Sequence, residues 1–280
     1  MLEACDRPAM IRQILSRFVL PVLILAALSA PARAANGADG VTLLRLVAAE
    51  TGHAGQPFLA GIEMRLADGW KTYWRKPGDS GIAPRFDWSK SENVAVVDLA
   101  WPAPQRFDAP GDITFGYEHE VIWPLLVTPK DAAKPVRLAL TMSYGVCREV
   151  CVPGEAVLSL TVPVASKPQP SAEGQRIRAA LRRVPVAEAA AKPAAISVRF
   201  EAEPSPRLLV DYAVEGAVPQ LIVQGPDGFW FGTPEAARHG GTVAYVVPVE
   251  LEKGTAPQGA TVTLTFSTPD MALEAKRRIP

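Results

Sequence analysis

The stretch Val136-Arg137-Leu138-Ala139-Leu140-Thr141-Met142 puts Val136, Leu138, Leu140 and Met142 on one side of an extended chain and Arg137 and Thr141 on the other. A repeat of two is the mark of a strand with one face on a core. Comparable short runs lie at 41–48, 58–66, 94–99, 121–128, 136–143 and 156–164. Proline and glycine punctuate them, and proline reaches 27 residues in the chain. Short alternating runs broken by turn residues predict an all-β sandwich. The pattern lapses over 165–194. There Ala165-Ser-Lys-Pro-Gln-Pro-Ser171 reads as a polar linker, and Ser171 can cap a helix running to about Val184. Ile177, Leu181 and Val184 would share its apolar face, leaving Arg176, Arg178, Arg182 and Arg183 as a solvated flank. Alternation resumes at 196–200, 207–214, 220–223, 242–249 and 261–267, predicting a second, smaller β domain over 195–280.

The N-terminus carries Arg7, Arg12 and Arg17, an apolar run from Phe18 to Ala30, and small residues at Ala32 and Ala34. This is the layout of an export signal with cleavage near Ala34. The expected divisions are therefore a signal at 1–34, a first β domain at 35–165, a linker with a short helix at 166–194, and the second β domain. Removing residues 1–34 leaves 25 basic against 27 acidic residues, a formal charge of −2. No basic face is supplied for nucleic acid. Outside the cytoplasm disulfides form and persist.

Directly after the opening stretch comes Ser143-Tyr-Gly-Val-Cys147-Arg-Glu-Val-Cys151-Val-Pro-Gly-Glu155. Cys5 falls in the export segment, so Cys147 and Cys151 are expected to be the thiols of the working protein. Such a pair can be a structural disulfide, a redox couple or a soft-metal clip. Domains of this length bury a core without staples. A loop of three intervening residues also adds little chain-entropy stabilisation. Both points lean toward exchange, while the other two readings stay open. Arg148 would favour a thiolate, and Glu149 and Glu155 would oppose it.

Other constellations carry less. Gly78-Asp79-Ser80-Gly81 resembles a serine-protease string, but too little chain separates it from the upstream His53, and it reads better as a surface turn. His53, His119 and His239 are scattered without metal-ligand spacing. No Gly-rich phosphate loop and no catalytic carboxylate pair stand out, so no cofactor is expected.

The cysteine segment resembles that of the N-terminal periplasmic domain of the thiol:disulfide interchange protein DsbD, and still more that of suppressor-of-copper-sensitivity relatives. Ala67-Asp-Gly-Trp70-Lys-Thr-Tyr73-Trp74-Arg75 is similar to the family's Asp-Gly-aromatic strand. Phe115-Gly-Tyr117-Glu-His-Glu-Val-Ile-Trp-Pro124 resembles its aromatic cap segment. The resemblance spans about residues 40–165 and implies an immunoglobulin-like sandwich in the periplasm that acts as a thiol:disulfide oxidoreductase. It implies Cys151 as the attacked and attacking thiol and Cys147 as its resolving partner. Phe115 and Tyr117 are the implied cap, with Tyr144 beside the pair. The implied partners are a thioredoxin-like or membrane electron donor on another polypeptide, and periplasmic disulfide isomerases or cytochrome-maturation factors as acceptors. Three residues separate the cysteines where DsbD has more. The alternative reading is a copper-tolerance protein with Cys147, Cys151, Met142 and His119 as Cu(I) ligands.

Overall fold

The computed structural model describes residues 40–188, 195–253, 255 and 257–280. The export signal and Cys5 lie outside the described residues. The first half contains β1 (Val41–Ala48), β2 (Phe58–Leu66), β3 (Lys71–Gly78), β4 (Arg85–Asp87), β5 (Val94–Leu99), β6 (Gln105–Ala109), β7 (Asp112–Glu118), β8 (Glu120–Pro129), β9 (Val136–Cys147) and β10 (Cys151–Val162). One sheet runs β1-β2-β8-β5; the other runs β10-β9-β3-β7-β6, with β4 also on β9. All these pairings are antiparallel. The result is the two-layered β-sandwich that the alternation predicts, immunoglobulin-like as the resemblance implies.

The opening stretch behaves as read. Val136, Leu138, Leu140 and Met142 are all buried in the core, where they meet Ile62, Met64, Trp74, Trp123 and Leu125 from both sheets. Phe86, Trp101, Trp123 and Tyr117 pack edge to face, with ring centroids 5.8–6.3 Å apart. Edge-to-face contacts match the positive ring edge to the negative face. Tyr117 directs its hydroxyl to the Pro102 carbonyl at 2.8 Å, which satisfies a group that burial would otherwise penalise.

The helix α1 (Ala172–Leu181) begins at Ser171, whose Oγ accepts from the Gly174 amide at 3.1 Å and donates to the Ala48 carbonyl at 2.6 Å. It stops short of Val184. Ile177 is fully buried against Val47, Ala49 and Ile122, on the outer face of the first sheet. The expectation of a solvated arginine flank fails at Arg176. This guanidinium donates to the buried Glu63 at 2.7 Å and to Glu120 at 2.6 Å. Arg45 reaches the same Glu63 at 2.8 Å, as does Arg65. Burial pushes the Glu63 carboxyl up, but the hydrogen bonds from Arg176 and Arg45 outweigh it and hold the group below the usual carboxylate range. A helical period reports which side faces the sheet. It does not report that the sheet's outer face carries a carboxylate.

The second half contains β11 (Val186–Ala187), β12 (Ile196–Glu201), β13 (Arg207–Ala213), β14 (Gln220–Gln224), β15 (Phe229–Phe231), β16 (Glu235–His239), β17 (Thr242–Leu251), β18 (Thr261–Ser267) and β19 (Ala272–Arg278). Two sheets, β11-β19-β18-β14 and β12-β13-β17-β15 with β16 also on β17, enclose a separate core around Leu208, Val210, Tyr245, Val247, Leu264 and Phe266. This is the second β domain expected after the linker. Its first strand, β11, pairs in parallel with β19 and comes from within the stretch read as linker.

Candidate functional site

The antiparallel ladder of β9 and β10 runs without a break from Val136↔Val162 to Cys147↔Cys151. The two cysteines are thus the last cross-strand pair of a long hairpin, with Arg148-Glu149-Val150 as its tip. They form a disulfide, their Cα atoms 4.1 Å apart. The bond joins two positions that the ladder already holds together, so it closes little new loop. The partners differ in access: Cys147 is 3% exposed, whereas Cys151 is exposed to solvent.

Strand parity decides what surrounds the sulfurs. Directly paired residues of an antiparallel ladder point to the same face. Cys147 pairs with Lys71 of β3, so Lys71 and Tyr73 lie on its face, away from the core. Met142, Tyr144 and Val146 have the opposite parity and are buried in the core. Tyr73 Oη lies 2.7 Å from Cys147 Sγ and 3.2 Å from Cys151 Sγ. Neither disulfide sulfur carries a proton, so the phenol is the donor to both. Burial, assisted by the negative charge of Asp112, pushes the Tyr73 hydroxyl up to about 12. It remains a neutral donor across the ordinary pH range.

The turn read from Gly78-Asp79-Ser80-Gly81 lies over this face. Asp79 accepts from the Ile113 amide at 3.0 Å, and Ser80 donates to Asp112 at 2.9 Å. Gly81 has φ +105°, and a Cβ there would fall 2.3 Å from the Tyr73 ring. Only glycine lets the chain lie so flat on the tyrosine. The next residue, Ile82, sits over Gly145, where a Cβ would come within 2.6 Å of its side chain. The β6–β7 hairpin extends the same sheet beside β3. Phe107 pairs with Thr114; Lys71 Nζ is 2.8 Å from Thr114 Oγ1 and 5.1 Å from the Phe107 ring centroid.

The expected cap residues lie elsewhere. Phe115 and Tyr117 have core parity on β7 and are 4% and 2% exposed. Tyr144 is also in the core, its ring against Gly154 on the paired strand. Of the aromatics in the quoted motifs, Tyr73 is the one in contact with both sulfurs. Its signal was present as the alternation of Lys71 and Tyr73 with Thr72 and Trp74. Buried Thr72, which donates to the Gly145 carbonyl at 2.9 Å, blurs that pattern by placing a polar residue on the core face. Met142 faces the core, opposite to Cys147, and His119 is an exposed residue at the corner between β7 and β8, 4.0 Å from Asp68. Among the described residues no group of three or more His, Cys, Asp or Glu could hold a metal ion.

The family model described as thiol:disulfide interchange protein DsbD, N-terminal, matches residues 44–163. A search of curated proteins gave no match. Among solved structures, the crystal structure of the N-terminal periplasmic domain of ScsB from Proteus mirabilis is similar in fold, with a TM-score of 0.69 at 22% identity, over 86% of this chain and 94% of that one. The first sandwich alone does not fill 86% of the chain, so the likeness of fold extends into the second. The described chain has no helix long and apolar enough to cross a membrane. Residues 44–163, with both cysteines inside them, thus match the N-terminal domain family of the thiol:disulfide interchange protein DsbD.

Proposed function

We propose that this chain is a periplasmic thiol:disulfide interchange protein that relays reducing equivalents through Cys147 and Cys151. The observation that carries the reading is the unequal pair: an exposed cysteine bonded to a buried one, with a tyrosine donor on both sulfurs. A partner thiolate attacks Cys151 Sγ and forms a mixed disulfide. The Cys147–Cys151 bond breaks, and its electron pair leaves on Cys147 Sγ, where the Tyr73 O–H hydrogen bond stabilises the thiolate. The partner's second thiolate then attacks its own sulfur in the mixed disulfide and releases Cys151. The partner ends as a disulfide, and two electrons and two protons reside on the pair. The outgoing half runs in reverse. Cys151 attacks the disulfide of an acceptor such as a periplasmic isomerase, and Cys147 resolves it.

Tyr73 and Ile82 take the shielding role that the resemblance assigns to a cap, and Val150, 73% exposed at the hairpin tip, offers a contact beside Cys151. The donor is proposed to be a thioredoxin-like or membrane-borne dithiol protein. The decisive experiment is trapping. Cys147→Ser should accumulate a mixed disulfide with partner thiol proteins, whereas Cys151→Ser should not. Full exchange activity in the double variant would overturn the proposal. So would a potential below about −300 mV, the range of inert structural disulfides. Tight anaerobic Cu(I) binding by the reduced protein with little exchange would favour the copper reading instead.

A further inference from the structure

We infer that the second sandwich is a positioning scaffold for the thiol site and acts on it through Arg75; this rests on the exchange reading above. Arg75 lies two residues beyond Tyr73 on β3, past the point where the register with β7 becomes irregular. Its guanidinium stacks on the Trp74 ring, 4.4 Å from the centroid. It donates to Gln224 Oε1 of β14 at 2.9 Å and forms an ion pair with Glu274 of β19. Both partners belong to one sheet of the second sandwich. Arg75 and Glu274 are only about a quarter exposed, at 26% and 27%. A planar guanidinium held by a stack and two acceptors has one orientation, which fixes the backbone carrying it.

A second contact runs to the loop over the sulfurs. Ile222 of β14 is 2% exposed and is part of the first sandwich's core. Ile222, Val223 and Phe231 line one crevice with Lys76, Gly78, Asp79 and Phe115. Gly78 and Asp79 begin the turn that lays Gly81 on the Tyr73 ring. The second sandwich therefore grips both things that set the tyrosine: the end of its own strand and the start of the loop packed on it. A bond from Oη to Cys147 Sγ is sensitive to small displacements of that strand, since hydrogen bonds weaken steeply with distance and angle.

The test uses the full chain and dithiothreitol as the reductant, and follows the rate of disulfide opening and the equilibrium with glutathione. Tyr73→Phe removes the donor to the leaving sulfur and should slow opening by roughly three- to tenfold, the worth of one hydrogen bond. Arg75→Ala and Glu274→Gln should slow it in the same direction, with Arg75→Ala at most as slow as Tyr73→Phe. Arg75→Lys, which lacks the fork, should rescue only in part. The double variant Tyr73→Phe with Arg75→Ala should be no slower than Tyr73→Phe alone, because the arginine acts through the tyrosine. Wild-type rates in folded Arg75→Ala and Glu274→Gln proteins, or effects of Tyr73 and Arg75 that multiply, would overturn the inference. If Arg75→Ala fails to fold, the milder Glu274→Gln decides alone. A wild-type disulfide that dithiothreitol cannot open would sink the exchange reading together with this one, which separates the two failures.

Discussion

The two sandwiches are built alike inside and differ outside. Each core holds a buried tyrosine whose hydroxyl donates to a proline carbonyl at 2.8 Å: Tyr117 to Pro102 in the first, Tyr245 to Pro219 in the second. Each packs aromatic rings edge to face around that tyrosine. Their outer faces part company. In the second, β16 is exposed along its whole length. In the first, the helix covers one sheet's outer face above Glu63, and the turn from Gly78 to Ile82 covers the other beside the sulfurs. The difference shows where chemistry resides. The cores supply rigidity, and the reactive and titratable groups sit on outer faces that a second layer has covered.

Four experiments press on that contrast. The largest effect is expected from replacing both Cys147 and Cys151 by serine. Exchange should vanish, while denaturant unfolding should show a loss at the low end of the disulfide range, about 2 kcal/mol or less, because the ladder already pairs the two positions. A loss of 4 kcal/mol or more would make the bond a staple. Next, Trp123→Ala in the first core and Phe266→Ala in the second should each cost about 3–5 kcal/mol by the same measurement. A much smaller cost at Phe266 would break the likeness of the cores.

Third is Glu63. Its folded value lies below the ordinary 4.5, so its contribution is fully present above that pH and is lost as pH falls through the folded value. Glu63→Gln should therefore cost about 2–3 kcal/mol at neutral pH, since it removes the charged acceptor that Arg45, Arg65 and Arg176 share, and the gap to wild type should narrow in acid. A gap that is constant from pH 7 to 3 would refute the ion-pair account. The smallest effect is Tyr73→Phe. Stability should change by about 1 kcal/mol, and the slower disulfide opening should persist unchanged from pH 6 to 9, because the phenol titrates only near about 12.

Much of this was legible in the residues. Val136 to Met142 announced its strand because a half-buried strand must alternate, and the same rule found most strands of both sandwiches. Ser171 announced the helix start because its side chain can satisfy an orphan amide. Strands with mixed faces were harder. In β3 the aromatics Tyr73 and Trp74 point to opposite sides while polar Thr72 faces inward, so no apolar stripe marks the core side. Phe115 and Tyr117 looked like cap residues from their motif. One position of parity put them in the core and left Tyr73 and Phe107 outside, and pairing register settles that parity.

By itself the sequence determined the sandwich class, the hairpin-forming strands on either side of the cysteines, and the proximity of the pair. These depend on local alternation and on a short separation. Only the tertiary structure decided which cysteine is exposed, that Tyr73 reaches both sulfurs, that Arg176 closes over Glu63, and that Arg75 binds the second sandwich. Each of those is a contact between residues far apart in the chain, set by strand register and by how layers stack. The Arg75–Glu274 pair spans 199 residues, and no local pattern encodes it.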